Sequence, residues 1–508
     1  MKKIISVLIC ISILFSFSAC SLNASNGLFT IGVLGSVQSF DPLKAESDIE
    51  KMLSTNCFEG LLRFDENSKI DLAGATAYTV EKNGTLYTFK LNPDASYHLS
   101  KAAKELLVEK GIKKFDTTIT AQDYIYGIQS FQEAYPEPLK SIKEIKAVDE
   151  FTIEIKLSKA DYDLLYKLAA YPVYPRSKAF CDAMNKDLGT STDTILTNGP
   201  YYIKSSDPTE TLMERCYDYN GNIHTMNKHI VLYTTGAEEA LEERYLNGSY
   251  SIYTSRDIAL ENAAVSYSDV WGLCFNCKSA LGASQGLRFV FLSSINFGII
   301  EMPSYAISKA EAVIPPDFTL GDVTYSDFAS TPTRYTSDTE KAQSTLDALL
   351  AKYKKTSYTL KFAVPAEMES TAKTIIKDWE ELFGEKIVVE LKTFDKKDAS
   401  TIATEGDYEI AILPLSPEAR TPQGLLDNIS GAPCYYEKSI MQQEKAYSPI
   451  SEDRFKAYHS AENTLIENGV FVPLFYTGTT LNLAENLKGI YIADGGDLIY
   501  FYGGHQTK

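Results

Sequence analysis

A chain of 508 residues with 44% hydrophobic and 23% charged residues has a globular composition, which excludes general disorder and calls for two or three domains rather than one core. A formal net charge of −18 argues against nucleic-acid partners and suits solubility at an anionic surface. The 33 tyrosines, against 2 tryptophans, supply rigid rings with a polar tip, side chains that cover surfaces and line clefts.

Lys2 and Lys3 precede an apolar run over residues 4–17, and Ser18-Ala19-Cys20 then places small residues before a cysteine. This is a targeting segment, too short to serve as a permanent membrane-spanning helix. It resembles a bacterial lipoprotein signal, in which cleavage before the cysteine is coupled to diacylation of its thiol. Phe17 stands where that pattern more often has Leu. Residues 21–26, SLNASN, make a polar tether. A plain secretory peptide with an incidental cysteine is the other reading of the same residues. After Cys20 no stretch has the length of a transmembrane helix, so the expected location is the outer face of the bacterial cytoplasmic membrane, held by lipid.

The first strand is predicted over residues 29–34 and ends in the turn-rich loop Gly35-Ser36-Val37-Gln38-Ser39-Phe40-Asp41-Pro42. Residues 48–58 read as a helix. Alternation over 77–81 and 85–91, around Asn83-Gly84, predicts a hairpin. Thr120 and Asp123 fit the N-cap and third position of a helix, in which Tyr124 and Tyr126 read as packing residues. Residues 101–118 look like a partly helical insertion, and a strand pair is expected about Asp149-Glu150. Residues 271–300 hold the centre of the chain. They run from a short strand, Leu273-Cys274-Phe275-Asn276, through a small-residue loop with Gly282 and Gly286. A helix then begins at Leu287, with Val290, Phe291, Ile295 and Ile299 spaced for one buried face. Cys274 and Cys277 form a lone C-x-x-C. With only 5 histidines and no second such pair, a zinc site lacks ligands, and the two read as buried thiols.

The order of motifs resembles the family 5 extracellular solute-binding proteins, the dipeptide- and oligopeptide-binding family that serves ATP-driven importers. Residues 57–100, CFEGLLRFDENSKIDLAGATAYTVEKNGTLYTFKLNPDASYHLS, look like the family fingerprint. Ser39-Phe40-Asp41-Pro42 resembles its first loop, residues 119–127 its "TAxDV" helix start, and Asn198-Gly199-Pro200-Tyr201-Tyr202-Ile203 its "GPY" strand. Phe275-Asn276 with Arg288, residues 408–412, and Val470-Phe471-Val472-Pro473-Leu474 continue the series. The resemblance runs from about Phe29 to Tyr502. It implies an α/β, two-lobed periplasmic-binding-protein-like fold (type II, cluster C-like) with an extra domain inserted in the first lobe. The implied pieces are 1–20 as signal, 27–57, 171–270 and 475–508 as the first lobe, 58–170 as the additional domain and 271–474 as the closing lobe.

The resemblance also implies where a solute sits, in the cleft between lobes that close by hinge motion. Val37, Gln38, Ser39 and Phe40 are expected from the first loop, and Trp271, Asn276, Leu415, Ser416 and Arg420 from the other wall. Trp271 reads equally as an inter-domain core aromatic, and Arg420 as a solvated loop charge. Peptide binders of the family hold the ligand's amino group with an aspartate; Thr421-Pro422 stands in that Asp-Pro place here, with Glu418 three residues away. Between residues 289 and 329 the family's helical stretch is shortened, and Ser293-Ser294-Ile295-Asn296 replaces its common run.

No G-x-S-x-G, H-E-x-x-H or glycine-rich phosphate loop is present, and His98, His224, His229, His459 and His505 are scattered. No catalytic set, cofactor or metal is therefore expected. The expected function is a lipid-anchored, monomeric receptor that hands a peptide or peptide-like solute to an ABC permease, without nucleic acid. The alternative is a peptide-sensing or envelope-signalling receptor on the same fold.

Overall fold

The computed structural model describes residues 28–507, apart from 226, 238, 257–259, 322, 329–336, 418–420, 437–447 and 449–450. The expectations for Cys20, Glu418 and Arg420 lie outside the described residues.

Strand Leu28–Leu34 buries five consecutive residues, as a strand covered on both faces does. It pairs in parallel with His229–Thr235 and, at Ile31, with Ile252–Ser255. These belong to an eleven-stranded sheet. From edge to edge it runs Ile387–Phe394, Tyr358–Pro365, Ile410–Leu415, Ala264–Phe275, Phe471–Leu483, Ile252–Ser255, Leu28–Leu34, His229–Thr235, Glu210–Arg215 and Tyr201–Ser206. The short Ser308–Lys309 lies beside Phe471–Leu483.

Two long strands carry this sheet across both lobes. Ala264–Phe275 and Phe471–Leu483 pair antiparallel from Ala264↔Leu481 to Cys274↔Phe471. One end of the pair meets Ile252–Ser255 and the first lobe; the other meets Ile410–Leu415 and the second. The register shifts between Tyr267 and Asp269 and again between Trp271 and Gly272. Such bulges bend strands and increase their twist, and they fall where the chain passes between lobes. Gly478 is required there, because a Cβ would stand 2.1 Å from the Ser266 carbonyl oxygen.

Separate cores lie on either side of the crossing. The closing lobe packs Trp271, Leu273, Phe291, Phe362, Trp379, Ile412, Leu465 and Phe475. The first lobe packs Phe29, Ile31, Met52, Leu53, Leu232, Ile499 and Phe501. A third core, including Tyr87, Phe89, Ile128, Ile153 and Leu164, also takes in Val173, Phe180, Met184 and Leu196. It backs the four-stranded antiparallel sheet of Ala75–Glu81, Leu86–Leu91, Thr152–Leu157 and Ile142–Asp149, in that order.

Helix Asp48–Cys57 forms behind a capping box, Ser47 with Glu50, and buries Ile49, Met52 and Leu53. The end of the chain ties onto it. Asn56 Nδ2 donates to the Ile499 carbonyl (2.7 Å), the Phe501 amide donates to Asn56 Oδ1 (2.8 Å), and the Tyr502 hydroxyl donates to the Thr55 carbonyl.

Local expectations are met at the hairpin, where Lys82 and Asn83 take positive φ, and at the capping box of Thr120 and Asp123. Tyr124 is buried in that helix. Two elements differ. The strand expected over residues 273–276 is the end of the 12-residue Ala264–Phe275; its earlier half carries Ser266, Ser268 and Asp269, which mask the apolar signal. The helix expected to reach Ile299 is Gln285–Ser294. Asn296 ends it, its Oδ1 accepting from the Gly298 amide (3.0 Å) to start a separate 3-10 turn. Cys57, Cys181, Cys216, Cys274 and Cys434 are free thiols, and Cys277 points its Sγ at the Phe275 carbonyl (3.6 Å).

Candidate functional site

Residues 35–41 follow the first strand, and one carboxylate shapes them. Glu50 Oε1 accepts from the amides of Gln38 (2.7 Å) and Ser39 (2.8 Å), and its Oε2 accepts from Glu46 and Ser47 (both 3.0 Å). Burial by itself would raise the Glu50 pKa, but these backbone donors outweigh it and hold the group below its ordinary value. Arg176 then grips Asp41 with two nitrogens (2.6 and 3.2 Å), and the Phe40 amide donates to the Gly189 carbonyl (2.8 Å).

Because the folded-state pKa of Glu50 is depressed, its contribution is whole above 4.5 and is lost as pH falls through the folded value. Glu50→Gln is expected to lower stability by about 2 kcal/mol at pH 7 and to flatten that acid limb. Superimposable acid-unfolding curves for the two proteins would refute the anchoring role.

The opposite wall starts from Ile410–Leu415, which returns the chain to the crossing beside Val270. Helix Pro422–Asp427 follows, and Thr421 caps it, its Oγ1 accepting from the Gly424 amide at 3.0 Å. Thr421 is 1% exposed. Its hydroxyl is committed to the helix rather than offered to a solute.

A cavity of about 300 Å³ opens between this helix and the chain of residues 138–171. Its walls carry Lys140, Lys159 and Lys167 together with Asp161, Asp163 and Asp427. Asp161 is neutralised locally by Lys167 (2.9 Å) and accepts from the Ser141 hydroxyl (2.7 Å). Burial above all, with the charge of Asp163 adding to it, pushes the Asp427 carboxyl above its ordinary value; Gln423, Lys159 and Lys167 pull the other way. A cavity lined by both signs of charge suits a polar or zwitterionic solute whose ends need opposite partners.

Beside the cavity the lobes are joined by buried polar contacts that no sequence pattern announced. Arg454, from helix Ser451–Glu467, pairs with Asp163; both side chains are under 9% exposed. Two Arg454 nitrogens also reach the Tyr458 hydroxyl (3.3 Å each), which donates to Gln423 Oε1 (3.3 Å). The Tyr166 and Thr319 hydroxyls meet across the lobes, and the Ser68 carbonyl lies 3.0 and 2.7 Å from them; with one hydrogen on each hydroxyl, two of these three contacts are filled at a time. On the far side of Arg454 lies a wider groove of about 1010 Å³.

The residues expected at the site fall into three groups. Val37 and Phe40 are half-buried against the first-lobe core, Gln38 is exposed with its Nε2 on Ser36 Oγ (2.8 Å), and Ser39 accepts from the Asp41 amide (3.1 Å). Trp271 and Leu415 lie inside the closing lobe, at 3% and 1% exposure, while Ser416 is exposed. Trp271 stacks on Phe475 (5.8 Å between centroids, 13°) and tilts against Tyr305. Asn276 sits at the other end of the crossing strand, where its Nδ2 donates to the Gly406 carbonyl (2.8 Å) and its amide to the Glu409 carbonyl (3.1 Å). The structure does not bring it to Leu415. Lys140, Asp163, Gln423 and Asp427 line the cavity, yet the sequence does not single them out, because isolated polar and charged residues on helices and turns read as solvated faces.

The oligopeptide-binding protein AmiA of Streptococcus pneumoniae is 23% identical over 254 residues, covering 46% of this chain and 38% of AmiA. The periplasmic oligopeptide-binding protein OppA of Escherichia coli is 26% identical over 249 residues, covering 44% and 42%. The chain thus spans under half the length of these curated relatives. Among solved structures, HbpA2 from Haemophilus parasuis superposes with a TM-score of 0.76 at 14% identity, covering 95% of this chain and 100% of that one. The family model of the bacterial extracellular solute-binding proteins, family 5 (middle), matches residues 69–436. The chain belongs to the family 5 bacterial extracellular solute-binding proteins.

Proposed function

We propose that this protein is the extracytoplasmic receptor of an ABC importer and captures a peptide or peptide-like solute between its lobes. The observation that carries the reading is the mixed-charge cavity of about 300 Å³ between helix Pro422–Asp427 and residues 138–171, in a chain of a solute-binding family. The division into 27–57, 171–270 and 475–508, 58–170, and 271–474 gives the moving parts. Ala264–Phe275 and Phe471–Leu483 are the strands about which the closing lobe swings. Diacylated Cys20 holds the monomer at the outer face of the cytoplasmic membrane. No described helix is long and apolar enough to cross a membrane.

For the solute itself, Ser39, Phe40 and Ser416 remain contacts at the rim. Thr421 does not serve as the amine anchor, and the charged groups of the cavity take that place. A thermal-shift screen of residues 27–508 tests the reading, with di- to octapeptides against nickel complexes, sugars and polyamines. A solute at 100 times its Kd is expected to add about 2.7 kcal/mol. Stabilisation by another class, with peptides silent, would overturn the peptide assignment.

A further inference from the structure

We propose that the buried Asp163–Arg454 pair is a specificity-determining partition that sets the length of solute the cleft accepts. The inference rests on the solute-binding reading above and goes beyond it. Asp163 faces the cavity of about 300 Å³, Arg454 faces the groove of about 1010 Å³, and Ala160 lines both. The two spaces therefore abut at the pair, and the guanidinium–carboxylate contact is the wall between them.

The wall is built rather than incidental. Asp163 precedes helix Leu164–Ala170, and its amide donates to Asp161 Oδ1 (3.1 Å). Arg454 is braced by Tyr458, which also holds Gln423 on the cavity side. The Tyr162 and Tyr458 rings each lie 5.9 Å from the guanidinium carbon. A buried ion pair is a poor source of stability compared with apolar side chains of the same size, whereas it holds a fixed geometry. A rigid partition uses that property.

The smaller space lies at the lower end of the range for small-molecule sites, roughly 300–1,000 Å³, and fits a short solute. A longer one has to continue past Arg454. What it would meet there suits an extended chain. The groove is lined by Tyr78, Val80 and Glu81 of Ala75–Glu81, an outer strand of its sheet with six of seven residues exposed. An outer strand offers backbone groups to an added extended segment. With the partition in place, that strand is out of reach of a solute seated in the cavity.

The test uses the full mature chain and a ladder from dialanine to octaalanine, read as Kd by calorimetry. The wild-type protein is expected to bind the two shortest peptides and to weaken at least 10-fold by hexaalanine. Asp163→Ala/Arg454→Ala removes both charges, so that neither is left buried alone. It is expected to tighten hexa- and octaalanine at least 10-fold while changing dialanine less than 3-fold. A length profile that stays parallel to wild type overturns the partition. Should the double alanine variant fail to fold, Asp163→Ser/Arg454→Ser carries the same expectation.

If no alanine peptide binds wild type, the length ladder has no ligand to read, and the partition is judged without one. The thiol of a Gln423→Cys variant is alkylated by N-ethylmaleimide and by a bulky maleimide conjugate, with the modified site read by mass spectrometry. Removing the pair is expected to raise the bulky-to-small rate ratio at least 5-fold. An unchanged ratio overturns the proposal.

Discussion

Glu462→Ala is expected to lower the stability of the closing lobe by about 5 kcal/mol, since several buried donors lose a charged acceptor at once. Glu462 is 0% exposed. Its Oε1 accepts from the amides of Val313 (2.5 Å) and Ile314 (2.9 Å), and its Oε2 accepts from the Tyr325 hydroxyl (2.5 Å). His459 Nδ1 lies 3.3 Å from the same oxygen. One side chain on helix Ser451–Glu467 thus closes the turn into Pro315-Pro316 and fixes the ring that packs on Phe455. Glu462→Gln keeps one acceptor oxygen and is expected to lose less than half as much. Both tryptophans of the chain lie in the closing-lobe core, so urea titration followed by tryptophan fluorescence reports on this lobe. A loss under 1 kcal/mol for Glu462→Ala would refute the account.

The second large effect is at Trp271. Trp271→Ala should lower stability by about 4 kcal/mol, the usual range for emptying a buried aromatic site. Trp379 fluorescence follows the transition. The indole lies between Phe475 and Tyr305 and belongs to the same core as Leu273 and Phe291. A core position and a solute contact predict opposite pairs of results. The core position gives a large stability loss with solute affinity changed less than 3-fold in the protein that remains folded. A contact gives the reverse, an affinity loss with stability moved by less than 1 kcal/mol.

Local chemistry was legible wherever neighbours in sequence settle it. Thr120 with Asp123, and Asn83-Gly84, each complete a motif within four residues, and each forms as read; the Ser47–Glu50 box is as local and is seen in the structure. The lobed architecture was legible for another reason: the order of weak motifs from Phe29 to Tyr502 matches one family, and the family model covers residues 69–436. The site was far less so. Asp163 and Arg454 are 291 positions apart, and neither stands in a pattern that periodicity can single out. Trp271 stands out by residue type and Asn276 by its place in the family's Phe-Asn element, yet one is packed between aromatic rings and the other spends its side-chain amide on Gly406. Thr421 stands out in the sequence for the aspartate it replaces. Its own task, capping Pro422–Asp427, is a role that sequence position alone leaves open.

The interleaved strand order also dictates when the protein can fold. Leu28–Leu34 is completed on one side by Ile252–Ser255, which leans on Phe471–Leu483, and helix Asp48–Cys57 waits for Ile499 and Phe501. Residues 28–57 are therefore completed by residues more than 200 positions later in the chain. Contacts this distant in sequence form slowly, because long loops must close before any pairing is gained. Throughout synthesis the first lobe is a set of strands without a closing edge, a state with no finished core to unravel. Folding of residues 28–57 is thus timed by the topology, deferred until Phe471–Leu483, Ile499 and Phe501 can pair with them or their neighbours.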